Sequence, residues 1–441
     1  MTKIVFAGAV ILAMLALIGL GIPIVISLGL TSFAGVAYVT GSLETGLSIL
    51  STTAFEALRS YVFAVVPLFV MMGEFIARSG AASDLYHTVN RTLRWVPGRL
   101  AVATVLGNAV FAAVVGASIA SAAAFSRIAY PAMCRHGYDK TVALGCIAGS
   151  SSLGMLIPPS VLMIVWGVVA ELSIGKLFIA GVLPGIVLAG LYALFCLGAA
   201  LAWRRAFGGA AHAGRNAPAD SSPLTSGEVV GTVGCVVLIV AVLGGIWFGW
   251  FTPTEGAGIG ALLALVLAIA KGMRWSGIVA TVVEAGRTSA PLLFLLIFAQ
   301  MYSRLLAIGG IGSGIREFVL GLDVAPGAVV AVMVLVWLVL GLFIDSVSII
   351  LLTVPIFAPT AAALGIDPFA FAIVGILAIE AGILTPPFGL AVFTVKGCVD
   401  DPEATLGRIF VGAVPYWLML MALAGGVYAF PGLATWLPSL Y

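Results

Sequence analysis

Apolar stretches of membrane-crossing length follow one another from Ile4 to Phe430, with one long polar interruption between Arg204 and Glu228. A helix needs about 20 such residues to cross the hydrocarbon core, so the chain has room for roughly ten to thirteen segments. Hydrophobic residues make up 62% of the 441 and charged residues 9%, with a mean hydropathy of +1.21. That is more apolar surface than a water-soluble core accommodates. The chain therefore reads as an all-α polytopic membrane protein.

The same composition excludes several function classes. A net charge of +2 gives no reason to expect nucleic-acid binding. The five cysteines stand apart without metal-ligand spacing and read as small apolar residues; the three histidines are equally scattered. No hydrolase, kinase, redox or Walker-type motif appears, so an enzyme is not expected and an ion gradient replaces ATP as the drive. Lys3 and the apolar run after it read as a first span, because the apolar character continues past Gly21.

Taken in order, Ile4–Leu20 and Ile24–Val39 are spans turning at Gly21-Ile22-Pro23, and Leu43–Arg59 is more polar and suits the interface. Tyr61–Ile76 is a span kinked at Pro67, and Leu177–Trp203 another. Residues 204–228 form a flexible cytoplasmic linker. Val229–Trp250 and Gly256–Ala270 are spans, Lys271–Arg287 is a second interfacial segment, and Ala290–Met301 and Ile409–Phe430 lie in further spans.

Four segments break this pattern. Gly149–Ser160 (GSSSLGMLIPPS) and Ala378–Gly389 (AIEAGILTPPFG) each place glycine and a proline pair inside an apolar run, at about 141–171 and 369–396. Leu100–Ser126 is too long for an ordinary span and too short for two, and it has small polar residues at Gly116–Ser121. Basic residues flank both of its ends. Cytoplasmic loops are enriched in Lys and Arg, so it reads as a re-entrant hairpin entering and leaving by one face. The competing reading is one long tilted span. Ala325–Val354, with Gly341-Leu-Phe-Ile-Asp-Ser346 at its middle, is the corresponding segment of the second half.

Adding 228 to a position in the first half recovers six identities in one gapless register: Pro131/Pro359, Gly137/Gly365, Asp139/Asp367, Gly154/Gly382, Pro158/Pro386 and Pro159/Pro387. Residues 1–203 and 229–441 thus form two repeats. Between Arg127 and Lys140 there are three Lys or Arg, and between Pro355 and Pro368 none. The two loops then face opposite sides, which makes the repeat inverted, with about five spans and one hairpin in each half. This orientation leaves Lys3, Arg304 and Arg316 outside, against the charge rule.

Broken helices free backbone carbonyls, tolerated at membrane depth where they line a cavity. Carbonyls, hydroxyls and a carboxylate make an oxygen cage suited to sodium, and half-helix N-termini favour an anion. Hydroxyls come from Ser150, Ser151, Ser152 and Thr385 at the breaks, and from Ser118, Ser121, Ser346 and Ser348 near the tips. Asp345 is an ionisable group in an apolar segment and so a functional candidate. Glu380 reads either as a cation ligand or as a tip cap, with the cap preferred, and Arg127 as a topology-setting arginine rather than an anion ligand.

These motifs, in this order over nearly the whole chain, resemble the large membrane subunit of tripartite ATP-independent periplasmic (TRAP) transporters, DctM-like and of the ion transporter superfamily. The residues carrying the resemblance are GASIAS, Gly137-Tyr-Asp139 and GSSSLGMLIPPS in one half, and GLFIDSVSIILLTVP, LGIDP and AIEAGILTPPFGLAVFTVKG in the other. The resemblance implies a sodium-driven importer of an organic anion (a C4-dicarboxylate, keto acid or sugar acid) working by an elevator mechanism in the bacterial inner membrane. It implies a periplasmic substrate-binding protein and a separate small four-helix membrane subunit as partners. It places one sodium site around Gly116, Ser118, Ser152 and Gly154, and another around Gly341, Asp345, Gly382 and Thr385. Ser121, Ser150, Ser151, Pro158, Ser346 and Pro386 are the corresponding candidates for the substrate. No organic cofactor and no transition metal is expected. A stand-alone ion-coupled anion carrier of the same superfamily is the alternative.

Overall fold

The computed structural model describes residues 3–208, 225–321 and 324–440. It is 82% helical. Ten helices build its core: α1 (Arg99–Val115), α2 (Ser118–Arg135), α3 (Lys140–Ser150), α4 (Val161–Val169), α5 (Ile174–Ala202), α6 (Pro326–Gly341), α7 (Ser346–Ala363), α8 (Pro368–Gly382), α9 (Leu390–Cys398) and α10 (Leu406–Ala429). By length and composition seven helices of the described residues can cross a membrane, or eight with α3 to α4 taken as one span. Of the shorter apolar helices, Arg99–Val115, Pro326–Gly341 and Pro368–Gly382 are cut short at a hairpin tip or a break.

The two hairpins are folded back on themselves. Phe111 and Phe125 stand 14 positions apart, about 21 Å along a straight helix, yet their rings are 5.8 Å apart. Trp337 donates to Thr353 Oγ1 at 2.8 Å and lies 5.4 Å from the Phe357 ring. A single tilted span through either segment is excluded. The arms reach further than expected, to Arg135 and Ala363, with Pro131 and Pro359 inside the second arms.

The repeated glycine and aspartate have a local cause. Gly137 and Gly365 adopt φ of 72° and 76°, where glycine is at ease. Asp139 Oδ1 then accepts from the Thr141 and Val142 amides, and Asp367 Oδ1 from those of Phe369 and Ala370. Each pair turns the chain out of a hairpin and caps the next helix. The bend predicted near Pro158 is present: α3 and its short continuation Leu153–Leu156 meet α4 at 41°.

The α3–α4 pair gives the molecule two ends. At one, Lys140 pairs with Asp401 at 2.9 Å and Tyr130 donates to the same carboxylate at 2.6 Å. Those contacts hold the Asp401 carboxyl well below the usual carboxylate range. At the other, Val169 to Leu172 line a cavity with Pro355, Pro359 and Pro368. The short connections that follow α2 and α7 therefore lie at opposite ends of the α3–α4 pair.

The remaining helices form an outer group. Ile24–Thr40 and Val65–Ser79 pack on the helix Trp275–Ile308, and Ser226–Trp247 packs on Pro253–Ala270 and on Ala81–Thr92, a helix the sequence did not suggest. Three expectations are corrected here. The interfacial segment 271–287 and the following span are one helix of 34 residues that runs through Pro291. It measures about 51 Å at 1.5 Å per residue, well beyond the hydrocarbon thickness. Pro67 falls in the first α-helical turn of the expected span, just after a 3-10 turn at Tyr61–Ala64, so the irregularity precedes the proline. The helix Ser226–Trp247 begins inside the expected linker, fixed by a Thr225–Glu228 capping box; linker residues 209–224 lie outside the described residues.

Within the core, α3 and α10 cross backbone to backbone. A methyl group on Gly145 would lie 2.1 Å from the Gly412 carbonyl carbon, and one on Gly412 would lie 2.2 Å from the Thr141 oxygen. Small residues permit such approach between apolar helices. Gly145→Val is expected to lower thermal stability in detergent by at least the roughly 1–3 kcal/mol typical of overpacking. Gly425→Ala, where nothing lies within 4 Å, should leave it unchanged. Equal melting of the two variants would contradict the crossing.

Candidate functional site

Each hairpin tip approaches its own helix break backbone to backbone. Gly116 ends α1 with φ of 65°, and its carbonyl accepts from the Val161 amide at 3.2 Å. A methyl on Gly116 would meet the Pro159 oxygen at 2.5 Å, and one on Gly154 would lie 2.9 Å from the Ala117 carbonyl and the Ser118 amide. In the second half a methyl on Gly341 would lie 2.6 Å from the Gly382 Cα, and one on Gly382 would lie 3.0 Å from the Gly341 Cα. The glycines thus allow contact where any side chain would hold tip and break apart.

The tips begin α2 at Ser118 and α7 at Ser346, and both serines turn to one residue. Glu380, 1% exposed on α8, accepts at Oε2 from Ser118 Oγ at 2.5 Å and at Oε1 from Ser346 Oγ at 3.2 Å. A single carboxylate joins both hairpins, and two helix N-termini, which favour negative charge, face it. No Lys, Arg or His pairs with Glu380 among the described residues. Each serine oxygen keeps lone pairs after donating its proton. The cluster therefore offers a cation one carboxylate and two hydroxyl oxygens.

The other candidates divide by what already holds them. Ser150 Oγ donates to the Cys146 carbonyl at 2.6 Å and accepts from Asn108 Nδ2 at 2.7 Å. Ser151 donates to Ala148 O at 2.7 Å. Ser152 donates to Gly149 O at 2.8 Å and lies 3.0 Å from Tyr192 Oη. These hydroxyls turn back onto carbonyls at the end of α3, where the Gly149 oxygen also accepts from the Ser152 amide at 3.3 Å. Asp345 caps α7, accepting from the Ser348 amide at 3.1 Å and Ser348 Oγ at 2.5 Å. Thr385 donates to Ala381 O at 2.8 Å and accepts from Trp417 Nε1 at 3.0 Å. Ser121 is buried and its hydroxyl has no hydrogen-bond partner among the described residues, and the same holds for Asn108 Oδ1. Such groups are costly to leave unpaired, and Ser126 shares this condition with Ser121 among the described residues. Arg127 is exposed.

Pro158 and Pro386 each precede a second proline through a cis bond, but their surroundings differ. Pro158 is buried beneath α5, whose Gly181 and Gly185 approach Leu156 and Ile157. Pro386 to Phe388 are exposed, and Phe388 stacks near Phe343 of the second tip at 5.8 Å. One half-site is closed and the other open. Asn108, Tyr192 and Trp417 were not anticipated. Asn108, an amide inside an apolar run, carried a readable signal; the aromatics carried none.

A hydrogen bond to a charged group is worth about 1.5–3 kcal/mol. A double-mutant cycle of Ser118→Ala and Glu380→Gln, read by thermal unfolding, should give a coupling of about that size. Strict additivity would dismiss the bridge.

Comparison with known proteins completes the assignment. Residues 11–433 match the family described as the tripartite ATP-independent periplasmic transporter, DctM component. The chain is 32% identical over 392 residues to the C4-dicarboxylate TRAP transporter large permease protein DctM of Pseudomonas aeruginosa, covering 88% of this chain and 89% of that protein. It is 28% identical over 429 residues to the sialic acid TRAP transporter large permease protein SiaM of Vibrio cholerae, covering 97% of each. The solved structure of the Alcanivorax borkumensis YdaH transporter shares the fold, with a TM-score of 0.64 at 16% identity over 90% of both chains. The chain is thus a multi-pass membrane permease, not an enzyme, and belongs to the DctM family of tripartite ATP-independent periplasmic transporters.

Proposed function

We propose that this permease imports an organic anion across the bacterial inner membrane, driven by sodium, with a periplasmic binding protein delivering the substrate and a small membrane subunit at its side. The observation that carries the reading is the Glu380 cluster: two hairpin tips and two helix breaks meet around one buried carboxylate and several oxygens. Such oxygens suit a hard alkali cation. Among the described residues no group of three or more His, Cys, Asp or Glu offers a transition-metal site. The relatives named for C4-dicarboxylates and sialic acid support an organic acid as cargo. Two facing helix N-termini support an anionic one. Each positive charge crossing about 100 mV gains about 2.3 kcal/mol, so a gradient of sodium suffices as the drive.

The packing supports an elevator movement. The core helices α1–α10 form one group and the outer helices another. The bridged tips and breaks travel with the core group as one body past the outer group, which is an elevator. The inverted repeat supplies the two opposed approaches to the site.

Three measurements test this reading. In proteoliposomes containing the permease, uptake of radiolabelled C4-dicarboxylates and sugar acids should need both an inward sodium gradient and the binding protein. Uptake without the binding protein would favour a stand-alone carrier. Asp345→Asn retains a capping side chain but removes the charge. If Asp345 holds sodium, half-saturating sodium should rise tenfold or more at unchanged thermal stability; an unchanged sodium response removes it from the site. In a cysteine-free background, Arg135→Cys and Ala363→Cys should label from opposite faces, and labelling from one face would end the inverted repeat.

A further inference from the structure

The orientation drawn from the loop charges leaves Arg304 and Arg316 on the side that basic residues avoid. The structure separates the two. Arg304 pairs with Glu56. Arg316, on the helix Ile311–Gly321, makes no ion pair among the described residues and lines a cavity of about 560 Å³. The cavity lies between the two helix groups. Ser303 and Arg316 come from the outer side, while Pro355 and Pro359 of α7 and Phe371 of α8 face them.

Glu171, just beyond α4, lines the same cavity and is exposed. Its φ is 54°, and among the described residues no other non-glycine residue has a positive φ. The Leu172 amide donates to the Gly167 carbonyl at 2.9 Å, the closing bond of a helix cap whose left-handed position is usually glycine. A carboxylate therefore stands where the backbone favours no side chain at all. Glu171 makes no ion pair among the described residues either. Two unlike charges stay apart across one apolar-walled space.

We infer that this cavity is an antechamber that binds a carboxylate compound carrying a hydrogen-bond donor before it reaches the site at the tips. Arg316 takes the carboxylate through its planar fork of donors. Glu171 accepts from a hydroxyl or ammonium group of the same molecule. The apolar walls thin the water and strengthen both contacts. The volume suits a ligand of sugar-acid size. The inference rests on the reading of the chain as an organic-anion importer and adds a second station to its path.

The test is calorimetric titration of the membrane complex purified through the full chain, in phosphatidylcholine nanodiscs, sodium-free and without binding protein. D-gluconate is the hydroxy-acid probe, succinate the acid without hydroxyls, and D-mannitol the neutral control. Wild type should bind gluconate and not mannitol. Arg316→Gln should weaken gluconate and succinate at least tenfold. Glu171→Gly, which suits the backbone and should melt no lower than wild type, should weaken gluconate at least fivefold and spare succinate. The inference is overturned if wild type fails to bind gluconate, if Arg316→Gln binds it unchanged, or if Glu171→Gly weakens both acids alike. Displacement of gluconate by added phosphatidylglycerol would also overturn it, assigning Arg316 to a lipid headgroup. Neither sodium nor a gradient enters the readout, so this result and the sodium-driven uptake reading fail independently.

Discussion

Two hydroxyls, 228 residues apart in the chain, donate to the two oxygens of one buried carboxylate. Much else in the core follows from that arrangement. Glu380 is reachable only because each tip lies directly on its break, and the tips lie there because Gly116, Gly154, Gly341 and Gly382 present bare backbone. The tips begin helices at Ser118 and Ser346, so two helix N-termini lie beside the same carboxylate. A carboxylate without a cationic partner is tolerable there because it accepts two hydroxyl protons and faces two positive helix ends. The same place is where an added cation gains most.

A broken helix in an apolar surrounding must dispose of its loose backbone groups. At the first break backbone turns take up part of this, with the Ser152 amide on the Gly149 oxygen, and Ser150, Ser151 and Ser152 add their hydroxyls to carbonyls of α3. The second uses Thr385 in the same way. The hydroxyls read from sequence as ligands thus have a prior structural duty, and each keeps lone pairs after donating its proton. Ser121 has no such duty and stays unpartnered among the described residues. The contrast sorts the candidates in a way residue type does not.

The asymmetry of the half-sites bears on movement. The first break is roofed by α5, while Pro386 to Phe388 of the second are exposed beside Phe343. Because Glu380 ties the two tips together, opening one tip alone would strip a serine from the carboxylate. Displacement of the core group as a unit keeps both bonds.

Helix periodicity and glycine and proline placement are local properties, and they sufficed for the helical class, the paired breaks and the hairpins. They sufficed because breaking a helix and capping the next are decided within four or five residues, as Gly137 with Asp139 and Gly365 with Asp367 demonstrate. Local rules did not reveal that one helix continues from Trp275 to Ile308 through Pro291, because that continuity is set by tertiary packing. Only the folded structure decided which oxygens meet. The partnership of Ser118, Ser346 and Glu380, the capping role of Asp345 and the cavity shared by Glu171 and Arg316 all join residues distant in sequence or committed by their neighbours. No periodicity encodes such encounters, because they are set by how the tips and breaks pack in three dimensions.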